Sequence, residues 1–269
     1  MMAEKNLIHP TAIIDSGAKL GKNVEVGPYA IIDSDVVLGD GCKVMAHAYI
    51  HRYTTAGKNC VFWPGSSIGA EPQDLKFAGE ITKTVIGDNC VFRECCTVHR
   101  GTADGGGVTR IGNNVLMMAY THAAHDCQVG NDVIMSNNAT LAGHVVVEDK
   151  AIIGGLAAVH QFTRVGRNVM IGGMARIAQD IPPYMIAAGD PSFVSGLNVI
   201  GLERAGFDEE KRLSLKKAFR ILYHQKNRLE IAIEKIDKEI LHNDATEHLL
   251  EFLRLELEGG RGILRTRRG

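Results

Sequence analysis

An apolar residue recurs at every sixth position over most of the first 177 residues, and this period constrains the fold of the 269-residue chain more than any other feature. The 26 positions that follow it are all apolar, although apolar residues make up only 45% of the chain. Chance agreement at one chosen phase is on the order of 10⁻⁹, so the repeat is real. We call these positions the anchors: Ile8, Ile14, Leu20, Val26, Ile32, Leu38, Val44, Ile50, Ala56, Phe62, Ile68, Ile86, Phe92, Val98, Ile111, Met117, Ala123, Val129, Met135, Leu141, Val147, Ile153, Val159, Val165, Ile171 and Ile177.

A period of six fits neither a 3.6-residue helix nor a simple alternating strand. One hexad supplies a short strand and a corner, and three hexads make a triangular coil of 18 residues. Glycine recurs directly after the anchors, where we expect it to relieve tight turns. The sequence therefore predicts a mainly β fold, a parallel β-helix over residues 1–190. Hexapeptide repeats are known to wind as left-handed coils, and we expect that hand from this likeness.

The period is interrupted twice. Asp74 and Glu80 occupy anchor positions in the first interruption, and a charged side chain cannot fill an inward position without a partner. Residues 73–84 are therefore predicted to loop out of the coils. Residues 101–109 contain three consecutive glycines, shift the phase by one and form a second predicted loop. Loops on a rigid scaffold often carry binding groups.

From about Asp208 the apolar period becomes helical. Asp208, followed by two glutamates, is typical of a helix start, and Asp244 with Glu247 resembles a capping box. Gly259 and Gly260 mark the end of that last helix. The sequence predicts three helices in a small C-terminal α-helical domain, residues 191–269.

Composition excludes several classes of function. The net charge of −1 gives no electrostatic support for nucleic-acid binding. Neither a secretory signal pattern nor an apolar run near 20 residues is present, so we expect a cytoplasmic protein without a membrane span. Five cysteines lie four places after an anchor, where small buried residues belong, and no CxxC pair exists, so no metal is expected. These cysteines are Cys42, Cys60, Cys90, Cys96 and Cys127.

Five histidines fall in the coils around and after the two loops: His99, His122, His125, His144 and His160. Residues 18 apart stack in neighbouring coils, so His125 is predicted to lie beside Gly143. An imidazole suits a general base near neutral pH, Asp126 can orient it, and a glycine N–H can stabilise an oxyanion. This pattern favours acyl transfer. Surface histidines, or a three-histidine zinc site as in carbonic-anhydrase-like β-helices, are the alternatives.

Several segments resemble a known family. They are QDLKFAGE (73–80), TVHRGTADGGG (97–107), HAAHDCQVGN (122–131), NNATLAGHV (137–145) and AVHQF (158–162), with IPPYMIAAGDP and GLNVIGLERAGF beyond them. They resemble the UDP-N-acetylglucosamine O-acyltransferases of lipid A biosynthesis. The resemblance implies a homotrimer with active sites between subunits. It implies transfer of an (R)-3-hydroxyacyl chain from acyl carrier protein to the glucosamine 3-hydroxyl of UDP-N-acetylglucosamine. No separate cofactor is implied, because the acyl chain is carried on the phosphopantetheine of the carrier.

The resemblance also implies roles for individual residues. His125 matches the general base, Asp126 its supporting acid, and the Gly143 N–H the oxyanion donor. Gly173 matches a position that limits acyl-chain length. Positions that match substrate contacts are Gln73, Asp74, Lys76, His99, His122, His144, His160 and Gln161, with Asn198 and Arg204 matching nucleotide contacts. Ile200 and Ala205 depart from the family, which often has an acidic residue and an arginine there.

Two groups of surface residues are candidates for contacts with partner proteins. Met118 and Ile134 are apolar but point outward by phase, which favours burial between subunits. The basic residues of the first long C-terminal helix suit an acidic carrier protein, although a plain solvated helix face explains them nearly as well. These residues are Lys211, Arg212, Lys216, Lys217 and Arg220. Another hexapeptide-repeat acyltransferase or acetyltransferase is the remaining enzymatic alternative.

Overall fold

The anchors fill the interior of a three-sided prism in a computed structural model that describes residues 6–267. Every anchor from Val26 onward is buried. Ile8, Ile14 and Leu20 are more exposed because they close the open end of the prism, where no earlier coil covers them. The predicted left-handed parallel β-helix is confirmed.

Each side of the prism is a sheet to which successive coils add parallel strands, except that the last strand of the first face runs antiparallel to its neighbour. The first face comprises β1 (Leu7–Ile8), β4 (Glu25–Val26), β7 (Lys43–Val44), β10 (Val61–Phe62), β13 (Val91–Phe92), β16 (Leu116–Met117), β19 (Ile134–Met135), β22 (Ile152–Ile153), β25 (Met170–Ile171), β27 (Met185–Ala188) and β28 (Phe193–Leu197). The second face comprises β2 (Ile13–Ile14), β5 (Ile31–Ile32), β8 (Tyr49–Ile50), β11 (Ser67–Ala70), β14 (Thr97–His99), β17 (His122–Ala123), β20 (Thr140–Leu141), β23 (Ala158–Val159) and β26 (Arg176–Ile177). The third face comprises β3 (Lys19–Leu20), β6 (Val37–Leu38), β9 (Thr54–Ala56), β12 (Lys83–Ile86), β15 (Val108–Ile111), β18 (Gln128–Val129), β21 (Val146–Val147) and β24 (Arg164–Val165).

Residues with left-handed backbone turn the corners of the prism. They stand three places after an anchor, as in Asn23 with φ +56° and Asp126 with φ +61°. The glycines that follow anchors have another role, because a Cβ on Gly39 would lie 2.5 Å from the carbonyl oxygen of Gly57 in the next coil. The prediction that these glycines relieve tight turns is wrong. Close approach of the neighbouring coil requires them.

The core packs in columns along the prism axis. The rings of Phe62 and Phe92 stack at 5.3 Å between centroids. All five cysteines predicted to be buried are buried, and Cys95 is exposed. Because each inward side chain packs against the coils above and below, the buried area grows with coil number.

Both loops leave the prism at the same edge, between the second and third faces. The first connects β11 to β12 and the second connects β14 to β15. The strands that receive the chain begin at Lys83 and Val108, so each loop ends two residues before the end of its predicted range, 73–84 or 101–109. We call the turns and loops that connect the second face to the third face the loop edge.

Four helices lie in the C-terminal part of the described chain: α1 (Val199–Arg204), α2 (Glu209–His224), α3 (Leu229–Glu239) and α4 (Asp244–Leu257). The prediction of three helices missed α1. Asp208 caps α2 as predicted, but the capping box of α4 is formed by Asn243 and Thr246. The division at residue 190 stays a prediction, since β28 beyond it still pairs with β27.

Buried ion pairs hold α4 against the prism. Arg164 donates to Asp180 at 2.8 Å and to Glu256 of α4 at 3.0 Å, and both carboxylates are almost completely buried. Nearby, His248 of α4 lies 2.7 Å from the carboxylate of Glu148. Among the helices of residues 6–267, none has the length and apolar character that crossing a membrane requires.

Candidate active site

The loop edge brings together most residues of the predicted site. His125 and Asp126 follow β17, Gly143 and His144 follow β20, and His160 and Gln161 bound the turn after β23. Both loops leave from the same edge, so Gln73, Asp74 and Lys76 of the first loop belong to this group. His99 ends β14, and His122 lies on β17 beside the edge. The 18-residue coil therefore stacks residues that are distant in sequence.

His125 and Asp126 form a hydrogen-bonded pair. The imidazole Nδ1 lies 2.8 Å from Oδ2 of Asp126, and the side chains are 10% and 1% exposed. An ionised carboxylate only accepts, so Nδ1 carries the proton and Nε2 keeps its lone pair. This arrangement leaves Nε2 able to accept a proton, and the buried carboxylate would stabilise the resulting imidazolium.

The second loop holds Asp126 in place. Thr102 donates its backbone N–H to Oδ1 at 2.8 Å and its hydroxyl to Oδ2 at 2.7 Å. The backbone N–H of Asp126 donates to the hydroxyl of Thr109 at 2.7 Å. A Cβ on Gly105 would lie 2.0 Å from Cγ of Asp126, so the glycine allows the loop to close over the carboxylate.

Gly143 lies against the imidazole of His125, as the 18-residue stacking predicted. A Cβ at this position would lie 2.6 Å from Cε1 and 2.7 Å from Nε2 of the ring. Within residues 6–267 its backbone N–H has no hydrogen-bond acceptor, whereas its carbonyl accepts from Phe162 at 3.1 Å. The turn thus offers a free donor beside the imidazole.

The neighbouring imidazoles are kept neutral by burial. Desolvation lowers the pKa of His99 to about 4, with a smaller contribution from nearby His122. Burial also lowers the pKa values of His122 and His144. The His122 Nδ1 lies 2.7 Å from the Thr97 hydroxyl, and the His144 ring meets that of His125 edge-on at 5.0 Å. Neutral rings can supply hydrogen bonds and add no positive charge around His125.

The first loop is tied to the second. The Glu80 carboxylate accepts backbone N–H groups from Ala78 at 2.8 Å and from Ala103 at 3.3 Å. Asp74 and Asp104, one from each loop, both raise the pKa of His144, against the larger effect of burial. Both loops therefore bring carboxylates toward the histidine cluster.

Three residues singled out from the sequence lie elsewhere in the chain. Gly173 follows β25 at the edge between the first and second faces. The side chain of Asn198 caps α1 by accepting from Gly201, and it donates to the Asn168 carbonyl at 2.9 Å. Arg204 ends α1 and is exposed.

A metal site is compatible with one cluster in the described part of the chain. Ligand atoms of His125, Asp126 and His144 all lie within 4.8 Å of one another. Oδ2 of Asp126, however, accepts from both His125 and Thr102, and Oδ1 accepts from Thr102. A cation bound there would have to replace these hydrogen bonds, so the geometry favours the His–Asp pair.

Sequence reasoning missed several residues of the site. Thr97, Thr102 and Thr109 orient His122 and Asp126, but no periodic signal distinguishes them from other polar residues. His51 also belongs to the histidine cluster, with its Nε2 2.8 Å from the Ser67 hydroxyl. The signal for His51 was available, because it directly follows the anchor Ile50, as His99 follows Val98.

A hexapeptide-repeat β-helix with an oriented histidine and a free backbone donor defines an acyltransferase of the hexapeptide class. Family models agree, since the bacterial transferase hexapeptide model matches residues 17–52 and 109–143. The model described as domain 2 of UDP-N-acetylglucosamine O-acyltransferase matches residues 180–264.

Individual relatives identify the family. An acyl-[acyl-carrier-protein]–UDP-N-acetylglucosamine O-acyltransferase of Verminephrobacter eiseniae is 54% identical over 84% of this chain and 87% of its own length. The enzyme of that name from Sinorhizobium fredii is 41% identical over 95% of both chains. The crystal structure of a UDP-N-acetylglucosamine acyltransferase from Bacteroides fragilis matches with a TM-score of 0.92 and 42% identity, over 96% of this chain and 100% of the other. The chain belongs to the acyl-[acyl-carrier-protein]–UDP-N-acetylglucosamine O-acyltransferase family.

Proposed function

We propose that this enzyme transfers an (R)-3-hydroxyacyl chain from acyl carrier protein to the 3-hydroxyl of the glucosamine in UDP-N-acetylglucosamine, the first step of lipid A biosynthesis. The names of its relatives support the two substrates. The observation that carries the mechanism is the His125 ring, which is bonded to Asp126 through Nδ1 and lies against Gly143 on its other side.

His125 acts as the general base in this proposal. Its Nε2 removes the proton of the sugar hydroxyl as that oxygen attacks the thioester carbonyl. The carbonyl oxygen becomes an oxyanion and accepts the free N–H of Gly143. When the tetrahedral intermediate collapses, the C–S bond breaks and the proton on Nε2 passes to the departing thiolate. Asp126 stabilises the imidazolium between these two steps.

The sugar-binding residues are proposed from the same edge. Gln73, Asp74 and Lys76 of the first loop, with the neutral His99, His122 and His144, surround the base with hydrogen-bonding groups. His160 and Gln161 lie one coil beyond Gly143 and extend this surface. A neutral set of imidazoles suits an uncharged sugar ring, because no buried charge has to be compensated by the substrate.

A neighbouring subunit completes the site in a homotrimer. Gly173, Asn198 and Arg204 lie away from the loop edge of their own chain, so a second copy must bring them to it if they contact substrate. The first face carries a ladder of outward, partly exposed apolar side chains that suits burial against another copy. The ladder consists of Val61, Val91, Leu116, Ile134, Ile152 and Met170.

The carrier protein is proposed to contact α2. Lys211 pairs with Asp244 at 2.7 Å and Arg212 lies 3.7 Å from Glu203, whereas Lys216, Lys217 and Arg220 are exposed. These three are best placed to meet acidic groups of a carrier. We place the enzyme in the cytoplasm, which agrees with six cysteines that form no disulfide.

The deciding experiment incubates the purified protein with UDP-N-acetylglucosamine and a panel of (R)-3-hydroxyacyl carrier proteins of different chain lengths. We expect turnover by the wild type and a loss of roughly 10²- to 10⁴-fold in kcat for His125→Ala. His9→Ala, which removes an exposed imidazole of the first coil, is the matched control. Absence of turnover with every acyl chain would reject the activity, and equal turnover by His125→Ala would reject the mechanism.

Sedimentation equilibrium tests the trimer. The expected mass is three times that of the 29.2 kDa chain. A monomer at micromolar concentration would contradict a site shared between subunits.

A further inference from the structure

The two loops leave the prism directly one above the other, and Arg100 stands at both departure points. Its backbone N–H donates to the carbonyl of Ala70, the last residue before the first loop, at 2.9 Å. The following N–H, of Gly101, donates to the carbonyl of Lys83, where the first loop returns, at 3.2 Å. Arg100 thus links the base of one loop to the base of the other.

The side chain of Arg100 lies beneath the first loop and is buried, with 9% of it exposed. One terminal nitrogen donates to Glu71 at 3.1 Å. The guanidinium carbon lies 5.3 Å from the ring centroid of Phe77 and 5.9 Å from that of Tyr53. Within residues 6–267 its Nε has no hydrogen-bond partner.

Burying the Arg100 guanidinium with so few partners costs desolvation free energy, so its remaining contacts must offset that cost. Glu71 is 72% exposed, and an ion pair with a carboxylate so open to water contributes little. The two aromatic faces are the stronger contacts, because a desolvated guanidinium gains up to about 2 kcal/mol over a ring. Phe77 is therefore the main attachment of the first loop to Arg100.

The rest of the first loop has few apolar contacts of its own. Leu75 is fully exposed and Ile81 is 71% exposed. Asp74 bonds within the loop, to the N–H of Lys76 at 3.0 Å. Gln73, Asp74 and Lys76 consequently depend on the neighbouring Phe77 and on the bridge made by Glu80 for their position above the edge.

We propose that Arg100 is a positioning residue for sugar binding, which holds the first loop through Phe77 so that Gln73, Asp74 and Lys76 stay over the histidine cluster. Arg100 does not reach the reacting atoms in this scheme. It acts on substrate affinity through the loop and not on the proton transfer at His125. The inference rests on the proposed function for its kinetic part, and on the loop alone for its structural part.

The test compares Arg100→Ala and Arg100→Lys with Arg52→Ala. Arg52 is a matched control because its guanidinium also lies over the Tyr53 ring, at 5.1 Å, and also pairs with an exposed carboxylate, but it does not contact the first loop. We expect Arg100→Ala to raise KM for UDP-N-acetylglucosamine about tenfold and to change kcat less than about threefold. Lysine keeps the charge without the planar face, so Arg100→Lys is expected to fall between alanine and wild type. Arg52→Ala is expected to match the wild type.

Hydrogen exchange of residues 73–82 gives a readout that does not need activity. Exchange of this segment is expected to accelerate in Arg100→Ala and to stay unchanged in Arg52→Ala. If Arg100→Ala does not fold, Phe77→Leu removes the same contact from the loop side and is expected to give the same rise in KM and in exchange.

Unchanged exchange in residues 73–82, or a fall in kcat at constant KM, overturns the proposal. A wild type that does not turn over the nucleotide sugar rejects the proposed function instead, and hydrogen exchange then still decides whether Arg100 holds the loop.

Discussion

Thr102 donates both its backbone N–H and its hydroxyl to the carboxylate of Asp126, at 2.8 and 2.7 Å. The acid that orients His125 is therefore held by a residue of the second loop and not by its own coil. The loop interrupts the repeat between β14 and β15, so the interruption itself supplies the residue that supports the proposed catalytic pair.

Thr102→Val removes the hydroxyl and keeps the size and the backbone donor. A hydrogen bond to a charged group contributes about 1.5–3 kcal/mol, so we expect kcat to fall roughly 10- to 100-fold as Asp126 loses its position. Thr102→Ser, which retains the hydroxyl, is expected to stay within about threefold of wild type. Steady-state kinetics at saturating substrate measure both, and equal rates for valine and threonine would contradict a role for this bond.

Gly143→Ala places a methyl group within 2.7 Å of Nε2 of His125. The imidazole of His125 must move, because the backbone of Gly143 is fixed within its own coil and cannot move away. We expect a loss of at least about 10²-fold in kcat, comparable to losing an oxyanion donor. Thermal unfolding is expected to change little. Gly196→Ala, where an added Cβ meets nothing within 4 Å, is the control, and loss of activity in that variant as well would point to a general effect.

The buried histidines predict how stability depends on pH. The pKa of His99 is about 4 in the folded chain and near 6.5 when unfolded, so the unfolded chain binds more protons between these values. The free energy of unfolding should thus fall as the pH drops from 6.5 to 4, by on the order of 3 kcal/mol from His99 alone. The lowered pKa values of His122 and His144 act in the same direction.

Urea unfolding at pH 7, 5.5 and 4.5 measures this dependence. His99→Asn should flatten it, and His9→Asn should leave it unchanged. An identical slope in wild type and His99→Asn would show that His99 titrates normally.

Metal removal distinguishes the His–Asp pair from a zinc site at His125, Asp126 and His144. We expect activity to survive dialysis against a chelator, since both oxygens of Asp126 already accept hydrogen bonds. Added Zn²⁺ is expected to inhibit, because it would compete for the lone pair of Nε2. Loss of activity on chelation with recovery on Zn²⁺ addition would favour the metal-dependent alternative.

Much of the prism could be predicted because one physical rule, the burial of an apolar side chain at every sixth position, applies to each hexad in turn. Val26 and Ile177 are buried for the same reason, and the 18-residue coil is enough to place His125 beside Gly143. The two interruptions of the period are also visible in the sequence, and both lie on the loop edge, which carries the histidines.

The positions of the loops against the coils and some ends of the C-terminal helices could not be predicted, because they depend on individual contacts that follow no period. The loops meet the coils through single hydrogen bonds, such as that of Thr102, and through the burial of Arg100. At α4 the predicted cap was one residue late, because Asn243 and Asp244 are both good capping residues and only the backbone distinguishes them. α1 was missed because six residues with a glycine carry almost no helical period.

Left-handed corners at fixed six-residue steps mean that the number of residues in each hexad cannot vary within the prism. A single residue inserted into any hexad would shift every later anchor toward solvent, so only whole hexads keep the anchors inward and only whole turns of 18 also keep each later strand on its own face. The two loops escape this rule, since each leaves from a strand of the second face and rejoins the following strand of the third face, whatever its length. Under the proposed function, changes in loop size can therefore alter substrate recognition while the spacing of His125 and Gly143 stays the same.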